Sequence, residues 1–364
     1  MSHTPEAVIL KSKKHFHLLD GLRGIAAIAV VIFHYMEWIK PDISQNFIGH
    51  GFLAVDFFLC LSGFVIAYAY DNRLPKMRRK DFFISRLIRL HPLVIIGSIL
   101  GLIALLADPF ANHAEGYSLA AMALIFLASM LMIPLPVMEE RGFNLFGLNA
   151  PSWSLFWEYI ANILYAFVLI RLSRKTLWVL LIPAAIALVW VSYSAGNLLG
   201  GWDGNTFLHG GVRMSYSFLA GLLIFRSGWI IKNKLGFVPL ALMLSAAFFM
   251  PWHSQNWITE SLIVLLYFPF IVALGAGSAL SGVLKETSIF LGKISYPLYM
   301  THYAAIWMFG HYFTTRNPTD EQLTWIIAIG TALMIFFAWL VMQLIETPVR
   351  KYLTRKRKEK LLKY

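Results

Sequence analysis

Long apolar runs separated by short polar connections dominate the chain. They fall near 21–39, 51–70, 92–107, 118–136, 152–171, 176–193, 212–230, 236–250, 259–276, 295–312 and 323–345. Most approach the ~20 residues a helix needs to cross a hydrocarbon core. No strand-like alternation competes with them, so the pattern predicts an all-α polytopic membrane helix bundle. The connections leave no room for a large soluble domain, and no internal repeat stands out. A membrane domain over 1–350 and a basic tail over 351–364 are the expected divisions.

Charge sets the sidedness. Lys11, Lys13 and Lys14 precede the first run, and Arg355 to Lys363 follow the last. Basic segments stay cytoplasmic under the positive-inside rule, so both termini are expected in the cytoplasm. The basic stretches at Arg73–Arg89, Arg171–Lys175, Arg226–Lys234 and Lys285–Lys293 fall on the same side, and "VMEERGFNLFGLNA" at 137–150 falls outside. Two cytoplasmic ends require an even number of crossings, and eleven windows hold one too many. The expectation is about ten transmembrane helices plus a re-entrant segment, assigned to the shorter window 92–107. Such a segment is tolerated where protein or a water-filled cavity covers its backbone.

Composition agrees. The 364 residues are 58% hydrophobic and 14% charged, with a mean hydropathy of +0.65. Soluble domains carry roughly 25% charge. The net charge of +12 is concentrated beside the apolar runs, where it meets anionic lipid, and no nucleic-acid recognition module accompanies it. The one cysteine, Cys60, cannot form an internal disulfide. No small-x-small cleavage pattern follows the first apolar run, which is therefore expected to be a retained span.

Ionisable residues inside the runs carry the chemistry, because such groups are costly in a bilayer and rarely sit there without a task. In "LDGLRGIAAIAVVIFHYMEW", Arg23 and His34 are eleven residues apart. Eleven steps are almost three helical turns, which puts both on one face ~16 Å apart. Arg23 is expected at the cytoplasmic rim, with Asp20 beside it, and His34 beyond mid-membrane. Taken alone, Arg23 reads equally as a snorkelling anchor and His34 as a packing histidine. The second run, "GHGFLAVDFFLCLSGFVIAYAY", carries Asp56, and the fifth, "PSWSLFWEYIANILYA", carries Glu158; each lies about six residues in from the outer loop. Antiparallel neighbours would bring them to the depth of His34, where a carboxylate fixes an imidazole's tautomer for general-base work. The plain alternative is helix-to-helix glue. Trp153 and Trp157 share a face with Ser154 beside them, in the manner of interfacial belt residues.

At the cytoplasmic end, "FFISRLIRLHP" places Arg86 and Arg89 three apart, and arginine forks suit phosphate oxygens. A strong positive-inside loop explains them equally well. "GKISYPLYMTHYAAIW" holds His302 after Pro297, and "LIETPVRKYL" holds Glu346 and Arg350 as a terminal i,i+4 pair.

Taken together, "LDGLRGIAAIAVVIFH", "GFLAVDFFLCLSGFVI", "FFISRLIRLHPL", "SWSLFWEY", "SYPLYMTHY" and "ETPVRKYL" resemble the acyltransferase-3 family of membrane O-acyltransferases, in that family's order and over essentially the whole chain. The chain departs from the family pattern at Ser85, where paired arginines are usual, and at His91 before Pro92. The resemblance implies transfer of an acyl group, acetyl by family habit, from cytoplasmic acyl-coenzyme A to a hydroxyl of a cell-surface glycan or lipid-linked sugar at a bacterial inner membrane. It implies His34 as the catalytic histidine, with Asp56 and Glu158 as polar members of the site. Arg23, Arg86 and Arg89 would engage the coenzyme's phosphates. Apart from the resemblance, Trp153, Trp157 and His302 are the candidate acceptor-binding residues, with His302 either lining the same cavity or simply packing. No metal is expected. The rival readings are a transporter or flippase, which needs polar groups at the same depth but typically shows paired repeats, and a non-catalytic scaffold, which leaves His34, Asp56 and Glu158 unexplained.

Overall fold

A computed structural model describes residues 15–361 except residue 112. Lys11, Lys13, Lys14 and Lys363, on which part of the sidedness argument stands, lie outside the described residues. The described chain is all-helical: α1 His17–Ile39, α2 Ala54–Tyr70, α3 Arg79–Ala107, α4 Leu119–Met130, α5 Ser152–Phe167, α6 Arg174–Ala195, α7 Phe207–Arg226, α8 Phe237–Phe248, α9 Asn256–Leu262, α10 Phe268–Gly277, α11 Gly282–Arg316, α12 Asp320–Val341 and α13 Thr347–Leu361. Single π turns join α9 to α10 and α12 to α13. Six of the resulting helices are long and apolar enough to cross a membrane.

One prediction is corrected. The window 92–107 is not a separate short dip; it is the second part of α3, a continuous 29-residue helix that reaches ~44 Å at 1.5 Å per residue. Pro92 sits inside it without ending it, because the basic "RKDFFISRLIRL" before the proline is itself helical. The short segment is α4, with 12 residues. The expected division at residue 350 also falls inside a helix, since α13 is continuous from Thr347 and Arg357 reaches Asp81 at 3.3 Å.

Two close helix pairs position the rest. α1 runs along α11, and α2 along α7. The α2–α7 contact is tight because Gly63 and Gly221 face each other's helices: a Cβ at Gly63 would strike the Phe218 carbonyl, and one at Gly221 the Cys60 carbonyl. An ion pair holds this helix pair at each end. The fully buried Arg213 grips Asp56, with Nη2 donating to Oδ2 at 2.6 Å, and also donates to the carbonyls of Gly200 and Phe52. At the other end Arg226 pairs with Asp71 at 2.7 Å, and the Tyr165 hydroxyl donates to the same carboxylate at 2.8 Å.

The Arg226 end, where α1 and α3 begin, is here called the basic end. At the far end, the segment before α5 is tied to its neighbours: Leu145 N–H donates to the Trp202 carbonyl at 2.9 Å, and the Asn149 side-chain Nδ2 donates to the Met300 carbonyl at 3.1 Å. Side-chain caps begin α4, α6 and α12 at Ser118, Ser173 and Thr319.

Candidate active site

Two cavities of opposite character lie within the bundle. The larger, about 600 Å³, opens at the basic end. Its wall carries Arg23, Arg86, Arg89, Lys293 and Arg350 against Asp20, Glu158 and Glu346, an excess of two basic groups. The three arginines singled out in the sequence therefore meet in one chamber, although they come from α1 and α3.

Each arginine is held differently. Arg23 is fastened to α11, with Nε donating to Ser295 Oγ at 2.8 Å and Nη2 to the Gly292 carbonyl at 2.6 Å. Arg86 donates from Nη2 to Glu158 at 2.8 Å, and Ser62 donates to the same carboxylate oxygen at 3.0 Å. Its Nε is buried without a hydrogen-bond partner, an exception among buried donors. Arg89 and Lys293 have no ion-pair partner among the described residues. A cationic wall with an orphaned guanidinium N–H is suited to an anion.

At its rim His15, His17 and Asp20 bring one donor atom each within 4.8 Å of the others, the group among the described residues whose ligand atoms could meet at one ion.

The smaller cavity, about 110 Å³, lies toward the far end and is lined by His34, Glu37, Asn144, Trp153, Trp202 and Tyr303, among others. His34 Nδ1 is hydrogen-bonded to Glu37 Oε2, one helical turn on. That leaves Nε2 as the ring nitrogen free for proton transfer. Behind the imidazole, His302 stacks at 5.4 Å between ring centroids, and Tyr303 meets it edge-on at 5.4 Å. His302 is itself fixed by a 3.0 Å contact from Nδ1 to the Leu298 carbonyl.

Val55 and Tyr299 line both cavities and so form the wall between them. Tyr299 meets Ser154 Oγ at 2.8 Å, and its ring packs edge-on to Phe58 at 5.6 Å.

The structure rearranges several sequence expectations. Asp56 does not reach His34; its carboxylate is spent on Arg213, because a fully buried charge needs the nearest opposite one. Glu158 lies in the cationic chamber, paired to Arg86, and not at the imidazole. The imidazole's carboxylate is Glu37, three residues along the same helix, a spacing visible in "HYME". Trp153 lines the smaller cavity as expected, with the Arg213 guanidinium 5.2 Å over its ring. Trp157 does not; it packs against Phe207 at 5.0 Å and over Gly210 and Gly211. His302 supports His34 from behind and lines neither cavity. Arg213, Trp202 and Tyr299 went unassigned in the sequence. An arginine inside the run "GGVRMSYSFLAG" was the available signal for the first of them.

A family model described as an acyltransferase domain matches residues 16–343. A protein of the picA locus of Rhizobium radiobacter is 32% identical over 188 residues, 48% of this chain and 94% of that protein. A candidate O-acetyltransferase of Staphylococcus aureus is 25% identical over 96% of this chain and 60% of its own length. The peptidoglycan O-acetyltransferase OatA of Listeria monocytogenes is 25% identical over 93% of this chain and 56% of its own. This chain thus spans little more than half the length of those last two relatives. No solved structure matches it. With a family model covering nearly the whole described bundle, the chain belongs to the acyltransferase-3 family, and its helices build a membrane acyltransferase domain.

Proposed function

We propose that this protein is a membrane O-acyltransferase that carries an acyl group, acetyl by preference, from acyl-coenzyme A at the basic end to a glycan hydroxyl at the far end. One observation carries the reading: a cationic chamber holding Arg23, Arg86 and Arg89 abuts a small aromatic chamber holding His34 and Glu37, with only Val55 and Tyr299 lining both. The charge distribution supports placing the basic end in the cytoplasm, where coenzyme A is available. In this topology ten segments cross the membrane, both termini are cytoplasmic, and α4 enters and leaves by the far end. α4 and α8 both have 12 residues, so charge and not length singles out α4: between Arg89 and the outer segment 137–150 the chain crosses an odd number of times, and α3 already makes that crossing.

The nucleotide phosphates lie against the arginines, and the pantetheine arm covers the ~16 Å between Arg23 and His34 on one face of α1. His34 Nε2 takes the proton of the acceptor hydroxyl as its oxygen attacks the thioester carbonyl. Glu37 holds the tautomer and stabilises the imidazolium. Collapse of the tetrahedral intermediate breaks the C–S bond, and the departing thiolate recovers the proton from the imidazolium. Asp56, bound to Arg213, braces the frame and takes no part in proton transfer. A glycan acceptor is supported by the aromatic lining of the smaller chamber and by the name of the Listeria relative, which specifies peptidoglycan. The test is thiol release from acetyl-coenzyme A by membranes carrying the protein, together with acetyl transfer to glycan. Substrate flux without thiol release would instead mark a transporter.

A further inference from the structure

The wall between the chambers has its own architecture. Ser154 Oγ donates its only proton to the Pro151 carbonyl at 3.1 Å. The 2.8 Å contact between Ser154 and Tyr299 must then run from the Tyr299 hydroxyl to Ser154 Oγ, because a hydroxyl carries one donor. Tyr299 on α11 is thereby bolted through Ser154 to the backbone that starts α5, and Pro151 itself lines the smaller chamber. The ring is 8% exposed, held edge-on by Phe58 on one side and 6.1 Å from the His302 ring on the other. Val55, β-branched and stiff at χ1, lines both chambers with it.

We propose that Tyr299, locked by Ser154 and joined by Val55, is the acyl-size filter of this protein: the donor's acyl group passes these two side chains, and chains longer than acetyl are rejected there. This rests on the acyl-transfer reading above. Two observations converge on it. Tyr299 and Val55 are the residues common to both cavities, so a group moving from one to the other has to pass them. Beyond them, about 110 Å³ must hold the acyl carbonyl and the acceptor hydroxyl together, against about 600 Å³ on the donor side. Where an apolar surface such as the Val55 side chain and the Tyr299 ring meets the acyl chain, one methylene is discriminated by roughly 10–200-fold.

The experiment uses inside-out membrane vesicles of the native host, from strains lacking the chromosomal copy and carrying the full-length wild type or a variant. Thiol release and incorporation of labelled acyl into glycan are followed with acetyl-, butyryl- and hexanoyl-coenzyme A. Wild type is expected to favour acetyl over butyryl by at least tenfold, and Tyr299→Ala to lower that ratio about tenfold or more. Tyr299→Phe, which keeps the ring but frees it from Ser154, is expected to fall between them. Val55→Ala should also relax the ratio, and Val55→Leu should sharpen it; these two decide the matter if Tyr299→Ala fails to accumulate in the membrane. A merely structural Tyr299 would depress all three donors equally and leave the ratio alone. An unchanged ratio in both widened variants, with wild type active, overturns the filter and spares the transfer reading. If wild type releases no thiol from any donor, the transfer reading itself fails and the filter falls with it.

Discussion

His34 and Glu37 occupy one turn of α1, with the histidine's Nδ1 bonded to the glutamate's Oε2, and this pairing orients the imidazole from within its own helix while the His302 and Tyr303 rings of α11 pack against it. A general base contributes roughly 10²–10⁴-fold to rate. His34→Ala should therefore abolish acyl transfer while the protein still accumulates in the membrane. Glu37→Gln, which keeps the hydrogen bond but loses the charge, should lower kcat by about tenfold or more and leave the KM for the donor near wild type. Near-normal turnover in His34→Ala would end the proposed mechanism.

Arg89 lines the donor chamber without an ion-pair partner among the described residues, so its removal strands no carboxylate. Arg89→Ala should raise the KM for acetyl-coenzyme A by about tenfold or more, since a hydrogen bond to a charged group is worth ~1.5–3 kcal/mol, with kcat much less affected. Arg86→Ala should do more damage, because it also leaves Glu158 unpaired, and adding Glu158→Gln should recover part of that loss. Donor titrations of the three variants check this. A KM indifferent to all of them would remove the phosphate role.

Asp56 and Arg213 should behave as a structural pair. Breaking a buried ion pair from one side costs about 3–5 kcal/mol, while apolar replacement of both partners is often neutral. Asp56→Asn and Arg213→Leu should each lower the thermal unfolding midpoint in detergent, and a double Asp56→Leu, Arg213→Leu variant should regain stability. Full stability of Asp56→Asn with loss of turnover would return that carboxylate to the chemistry.

The two tryptophans of "SWSLFWEY" should separate. Trp153 and Trp202, both on the wall of the smaller chamber, should raise the acceptor KM when changed to Ala, by roughly 3–10-fold if each contributes an aromatic contact of ~0.5–1.5 kcal/mol. Trp157→Phe should leave that KM unmoved, because Trp157 fills the space over Gly210 and Gly211. Acceptor titrations with a defined glycan fragment distinguish them.

Much of this protein is written in local order. Runs of apolar residues specify helices whatever their neighbours, because no water in the hydrocarbon core can satisfy an open backbone. The eleven-residue step from Arg23 to His34 likewise fixes a shared face on α1 from helical geometry alone, and the basic clustering of Arg86 and Arg89 needs no fold to be seen. Partner choice is different. Asp56, Glu158 and Glu37 are each a carboxylate beside apolar residues in the sequence, and depth along a helix does not say which cation each will face. The packing of α2 on α7 gave Asp56 to Arg213, that of α3 on α5 gave Glu158 to Arg86, and only Glu37 was left for His34. The wall at Tyr299 and Val55 exists solely because α2, α5 and α11 converge there. A buried charge is settled by the nearest opposite charge in three dimensions, and that neighbour is chosen by helix packing, which the order of residues along one helix does not encode.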